Sequence, residues 1–203
     1  MADYLVAPCN RDAVAWVDRW PDWPAPALVL YGPAGAGKSH LAEVWRGRAK
    51  AERLAPADLD AETAANCARC VVIDALEMPF DQEALLHLYN ATAERGGHLL
   101  IVAEEPPARW ALTLADLRSR LQAAPAVGIG APNDGLIGAV MVKQFADRQL
   151  RVEPEVLTFL LARMERSFEA ASRLVAALDE AAMAEQRRIT VPLARDVLSL
   201  LEA

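Results

Sequence analysis

Short apolar runs bounded by turn residues recur along the first part of the chain and then give way to helical spacing. Ala27-Leu28-Val29-Leu30-Tyr31, Cys70-Val71-Val72-Ile73-Asp74 and His98-Leu99-Leu100-Ile101-Val102-Ala103 each have the length and the β-branched content of a buried strand. Ala126-Val127-Gly128-Ile129-Gly130 reads as a further short strand, and a weak one is expected near Arg53-Leu54. Between the second and third main runs, Gln82 to Arg95 carries Leu85, Leu86, Leu88 and Tyr89 and is followed by Gly96-Gly97, which predicts a helix with a glycine stop. Strands alternating with helices imply a parallel, doubly wound α/β sheet. Near the N-terminus, Trp16 and Trp20 are four apart, so the spacing predicts one helix face packed on the core, broken by Pro21, Pro24 and Pro26.

After Ala131-Pro132 no strong strand remains. Asn133 suits the cap of a helix over about 134–148, and Pro154 the first turn of a second. Phe168, Ala171, Val175, Leu178 and Ala182 form a three-and-four spaced stripe on a third; Pro192 opens a fourth with Leu193, Val197 and Leu200. The predicted organisation is a nucleotide-binding α/β domain over 1–131 and a small all-α lid over 132–203.

Bulk composition narrows the classes. The chain has 203 residues, 54% of them hydrophobic, and a formal net charge of −7. That balance argues against broad, sequence-independent nucleic-acid binding, which needs a basic face. No apolar run approaches a membrane span, and no signal peptide is visible. Three cysteines suggest a reducing, cytoplasmic setting. Cys67-Ala68-Arg69-Cys70 is a lone C-x-x-C with no second ligand pair, read as structural. The histidines form no metal-ligand spacing.

The chemistry is concentrated in Gly32-Pro33-Ala34-Gly35-Ala36-Gly37-Lys38-Ser39, which fits the phosphate-binding P-loop G-x-x-x-x-G-K-[ST]. It follows an apolar strand and precedes a helix beginning His40-Leu41-Ala42, the context the motif needs. Glycines let the backbone turn its N–H groups toward phosphate oxygens, and the helix N-terminus adds its dipole. Lys38 is placed to reach the β- and γ-phosphates, and the Ser39 hydroxyl to ligate Mg2+. His40 is expected to pack on that helix at the loop exit rather than act in catalysis.

Asp74, ending the second main strand, is the candidate Walker B carboxylate, helping Ser39 hold Mg2+. The next position often carries an acid that orients the attacking water; here it is Ala75, and Glu77 lies three residues on. The expectation is weak intrinsic ATP hydrolysis. Leu117-Arg118-Ser119-Arg120-Leu121 has two readings. One is a helix end whose cations suit the dipole. The other makes Arg120 an arginine finger acting on a neighbouring molecule's γ-phosphate.

An ordered set of segments resembles the AAA+ domain of DnaA replication initiators. The set comprises Asp3-Tyr4-Leu5-Val6-Ala7-Pro8-Cys9-Asn10, then Gly37 to Leu41, then Glu104-Glu105-Pro106-Pro107 at the sensor I turn. Leu117-Arg118-Ser119-Arg120 closes it at the finger box. With the lid ending near Ala203 and no helix-turn-helix domain after it, the chain is similar to the Hda family of DnaA-related regulators. The Trp20-Pro21-Asp22-Trp23-Pro24-Ala25-Pro26 stretch resembles alphaproteobacterial members. The resemblance implies binding of ADP or ATP with Mg2+, with Leu5, Val6 and Pro8 lining an adenine pocket. It implies DnaA as partner, Arg120 as the finger offered to DnaA-bound ATP, and repression of re-initiation of DNA replication. The lid's sensor II arginine falls near Glu169, with Arg166 and Arg173 as replacements one turn either side. The family's sliding-clamp motif, of Gln-Leu-x-Leu type, belongs before Tyr4, where this sequence has no room for it. A homo-oligomer is open; a direct DNA-binding domain and a membrane association are not expected.

Three other readings are open at this point. A stand-alone P-loop ATPase, such as a loader or remodelling subunit, needs a water-orienting residue in place of Ala75. A small-molecule kinase needs an arginine-rich loop over the phosphates. An interaction module with a relic P-loop predicts no response to nucleotide.

Overall fold

The computed structural model describes residues 4–185 and 187–201; Asp3, the first residue of the N-terminal match, lies outside them. The described residues form two compact units, one ending at Gly130 and one beginning at Ala131.

In the first unit the strands are β1 (Ala27–Tyr31), β2 (Glu52–Leu54), β3 (Cys70–Ile73), β4 (His98–Ala103) and β5 (Ala126–Gly128). They make one sheet in the order β2-β3-β4-β1-β5, and every pairing is parallel. This is the α/β sheet the apolar runs predict. The helices are α1 (Arg11–Asp18), α2 (Lys38–Ala49), α3 (Ala61–Asn66), α4 (Gln82–Glu94) and α5 (Ala115–Ala123). Because strand side chains alternate between faces, the sheet carries two separate cores. Val29, Val71, Ile73, Leu99 and Ile101 meet Leu85 and Leu88 of α4 and Leu117 and Leu121 of α5. Leu28, Leu30, Val72, Leu100 and Val102 meet Ala13 and Val17 of α1 and Leu41 and Trp45 of α2. One short helix, α3, escaped the periodicity; it is started by Asp60, whose carboxylate accepts from the Thr63 N–H at 2.7 Å.

The N-terminal helix differs from expectation. It ends at Asp18, so Trp20 sits in the turn beyond it, and the face that is buried carries Ala13 and Val17. Trp20 instead meets Trp45 edge-on, while Trp23 stacks on Trp45 with ring centroids 5.5 Å apart.

The second unit is all helical: α6 (Asp134–Asp147), α7 (Pro154–Leu161), α8 (Phe168–Glu185) and α9 (Val191–Leu201). Asn133 caps α6 by accepting from the Leu136 N–H at 2.9 Å, and Pro154 opens α7. Ser167 caps α8, its hydroxyl accepting from the Ala170 N–H. The α8 stripe of Ala171, Val175, Leu178 and Ala182 packs with Ile137, Phe145, Leu160, Leu193 and Val197. No helix among the described residues is long and apolar enough to cross a membrane.

Candidate functional site

Parallel pairing brings the carboxyl ends of β1, β3 and β4 together. Each strand stops just before a chemically useful residue: Tyr31 before Gly32, Ile73 before Asp74, Ala103 before Glu104. Crevices at the carboxyl ends of parallel strands are where open α/β sheets bind ligands.

The loop from Gly32 to Gly37 is fixed by conformations that side chains resist. Gly32 has φ +151°, and a Cβ added there would lie 2.1 Å from the Ile129 carbonyl oxygen. Its N–H donates to the Glu104 carbonyl at 3.1 Å, tying the loop to the end of β4. Gly37, at φ 92°, turns the chain into α2. Lys38 follows as a buried lysine. Its Nζ donates to the carbonyls of Gly32 at 2.7 Å and Pro33 at 2.8 Å. Burial lowers the Lys38 pKa from the ordinary lysine value, and the negative charges of Glu104 and Asp74 act in the opposite sense. The ammonium is therefore held under the loop, in reach of whatever anion the loop cradles.

At the next strand, the Ser39 hydroxyl donates to Asp74 Oδ1 at 2.9 Å. Asp74 Oδ2 accepts from an Arg53 guanidinium nitrogen, also at 2.9 Å. Arg53 in turn reaches Glu43 at 3.2 Å, and the other Glu43 oxygen accepts from Arg46 Nε at 2.8 Å. A hydroxyl and a carboxylate oxygen side by side are hard oxygen donors of the kind Mg2+ takes alongside phosphate oxygens. The Ser39–Asp74 pair therefore fits that ion. Ala75 follows Asp74 in the left-handed region at φ 58°. The Leu76 N–H is then taken by the Val102 carbonyl at 2.8 Å. Glu77 lies beyond that anchor, exposed.

The N-terminal segment is pinned by Asn10, a residue the sequence reading used only as the end of a match. Asn10 is 1% exposed. Its Oδ1 accepts from the Ala7 N–H and its Nδ2 donates to the Leu5 carbonyl, so a short polar side chain staples the loop that carries Leu5, Val6 and Pro8. Those three side chains remain exposed. The Tyr4 ring meets His40 edge-on at 5.4 Å, setting the segment against the start of α2.

Arg120 lies in the last turn of α5, exposed, with its guanidinium 5.5 Å from the centroid of the Tyr89 ring. Arg118 is tied down, donating to the Leu112 carbonyl. In the second unit, Arg166 precedes α8 rather than lying on it, which corrects the expected turn-on-either-side spacing about Glu169. Both its Nε and one terminal nitrogen donate to Asp134, the former at 2.7 Å. That pairing lowers the Asp134 pKa. Cys67 belongs to no cluster of metal-ligating groups among the described residues; its sulfur and carbonyl accept from Arg95.

Residues 138–198 match the family model described as Hda, lid domain. The chain is similar in structure to domain III of the Thermotoga maritima replication initiation protein DnaA. The TM-score is 0.80 at 16% identity, covering 97% of this chain and 93% of that one. Residues 138–198 are thus similar to the Hda lid, and the chain has the fold of the DnaA AAA+ domain. AMPPCP-bound DnaA from Aquifex aeolicus matches with TM-score 0.70 at 15% identity, over 86% of this chain and 63% of that chain. The AAA+ fold is also shared with the Thermotoga maritima RuvB Holliday junction branch migration motor, at TM-score 0.67 and 15% identity over 87% of this chain and 62% of that one. At such identities the likeness establishes the fold. The P-loop sits within that AAA+ fold.

Sequence reading missed Arg53, Glu43 and Asn10. Arg53 sits in the weak strand, and nothing in linear spacing connects it with Asp74; only the β2–β3 register, with Arg53 opposite Val72, does so.

Proposed function

We propose that the chain is a regulator of DnaA that carries an adenine nucleotide and promotes hydrolysis of ATP bound to DnaA, so repressing re-initiation of replication. The observation that carries this reading is the exposed Arg120 at the end of α5, in a protein whose own position after Asp74 is an alanine. A finger acts on the partner's γ-phosphate, so its usefulness does not depend on the competence of the site that shares its chain. Gly32 to Ser39, with His40 at the loop exit, hold the phosphates of ADP or ATP. Leu5, Val6 and Pro8 line the base. Ser39 and Asp74 hold Mg2+, which when bound neutralises phosphate charge. Ala75 has neither an acid to polarise water nor the extended backbone that would aim one, so the chain's own turnover is slow and its nucleotide acts chiefly as a conformational ligand. The domain division follows the change from sheet to helices, with a nucleotide domain over 1–131 and a lid over 132–203.

The test mixes the protein with ATP-loaded DnaA and DNA-loaded sliding clamp and reads phosphate release. Arg120→Ala abolishes the stimulation while leaving ADP binding and melting temperature unchanged; Val142→Ser, on an exposed position of α6, retains it. Stimulation that survives Arg120→Ala removes the finger assignment. A loader or remodelling ATPase would instead show fast turnover alone.

A further inference from the structure

Asp74 has two oxygens and both are engaged: one by the Ser39 hydroxyl, the other by Arg53. The guanidinium comes from β2, a strand of three residues at the sheet edge. Its own side chain is 55% exposed, whereas that of Asp74 is 11% exposed. Glu43 holds the guanidinium from the other side at 3.2 Å, and Arg46 holds Glu43. Charges therefore alternate along one line, Arg46, Glu43, Arg53, Asp74, and the line ends beside the P-loop serine. Arginine stays charged at any physiological pH, so the cation at Asp74 is permanent.

A carboxylate beside a phosphate cradle repels the phosphates unless a cation stands between them, and in a partly buried site that repulsion is poorly screened. In a P-loop protein a divalent metal ordinarily fills that place. We propose that Arg53 is a built-in counter-cation for Asp74, which lets the chain hold a nucleoside diphosphate with little dependence on Mg2+. Arg53 neutralises one oxygen of Asp74 and leaves the other, held only by the neutral Ser39 hydroxyl, to take the metal with Ser39 when it is present. Removing Arg53 restores the full charge of Asp74 and with it the need for metal. Removing the charge of Asp74 as well abolishes that need again. The inference rests on nucleotide binding at Lys38 and Ser39, not on the finger role of Arg120.

The experiment measures ADP affinity by calorimetry on the full chain, in Mg2+ and in EDTA, for wild type, Arg53→Met, Arg53→Lys and the double variant Arg53→Met/Asp74→Asn. The expected ratio of the two Kd values is within about threefold for wild type and Arg53→Lys, and larger by about tenfold or more for Arg53→Met. It returns to the wild-type ratio in the double variant, which a merely structural role of Arg53 does not produce. Arg53→Gln, which keeps hydrogen-bond donors and loses the charge, gives the same rise if the methionine variant melts early. An unchanged ratio in both uncharged variants overturns the proposal, as does a wild type that loses ADP in EDTA as fully as Arg53→Met. No ADP binding by wild type even with Mg2+ overturns the nucleotide assignment itself, a separate outcome.

Discussion

The two ends of the same parallel sheet are built on opposite principles. At the carboxyl end, β1, β3 and β4 run out into Gly32, Asp74 and Glu104. There the backbone adopts left-handed conformations at Gly37 and Ala75, and charged groups face one another. At the amino end, His98 opens β4 and meets two indoles. Trp23 lies against it edge-on at 5.3 Å, Trp20 at 6.1 Å, and both pack on Trp45. The polar handles there are internal: Trp20 Nε1 donates to His98 Nδ1 and Trp23 Nε1 to the Trp16 carbonyl. One end gathers charged groups and glycine turns and tolerates strain; the other pairs its polar groups within an aromatic cluster and packs large apolar area. Stability and chemistry are thus separated along the strands, and substitutions should divide accordingly.

Trp45→Ala breaks the comparison most forcefully. Trp45 is fully buried, and truncation should cost about 3–5 kcal/mol of unfolding free energy in denaturant titrations. Nucleotide affinity of the folded fraction should stay at the wild-type value. Lys38→Ala is the converse: ADP affinity falls at least about a hundredfold by calorimetry, while unliganded stability changes by about 1 kcal/mol or less. Gly32→Ala is the exception that joins the two. Its Cβ meets the Ile129 carbonyl oxygen, so it should lower stability by about 1–3 kcal/mol and weaken ADP together. If only binding changes, the loop is looser than its contacts with Ile129 imply. The smallest effect concerns pH. Burial, and after it the charge of Arg69, lowers the His98 pKa from the ordinary histidine value. The folded state therefore disfavours the imidazolium. The stability this contributes is complete above the ordinary histidine pKa and is lost as pH falls toward the lower folded value. A melting-temperature profile through mild acid should show a decline that His98→Gln flattens, with no matching change in ADP affinity.

Most of the architecture was legible because it depends on local pattern. The runs at Leu28, Val71 and Leu99 read as strands since both faces of a covered parallel sheet are apolar. The capping roles of Asn133 and Pro154 need only their neighbours. The P-loop is equally local, its glycines, lysine and serine being consecutive. Trp20 was misplaced because four-residue spacing says which residues would share a face if the helix continued, and α1 stops at Asp18. Arg166 was misplaced for the related reason that the start of α8 is set by Ser167, whose capping bond is invisible in hydrophobic spacing.

By itself, the sequence determined the succession of elements, the phosphate loop and the alanine where an acid would polarise water. These are fixed by side-chain periodicity, by the conformational freedom of glycine and by residue identity at one position. Only the tertiary structure decided what Asp74 and Asn10 do. The pairing of β2 with β3 places Arg53 on the carboxylate, and the burial of Asn10 turns an ordinary polar residue into the staple of the N-terminal segment. Both depend on contacts created by folding: Asn10 reaches back along its own loop, and Arg53 meets Asp74 across two paired strands, 21 residues on in the chain. A charge or an amide has no partner until the sheet and its loops bring one within hydrogen-bonding distance.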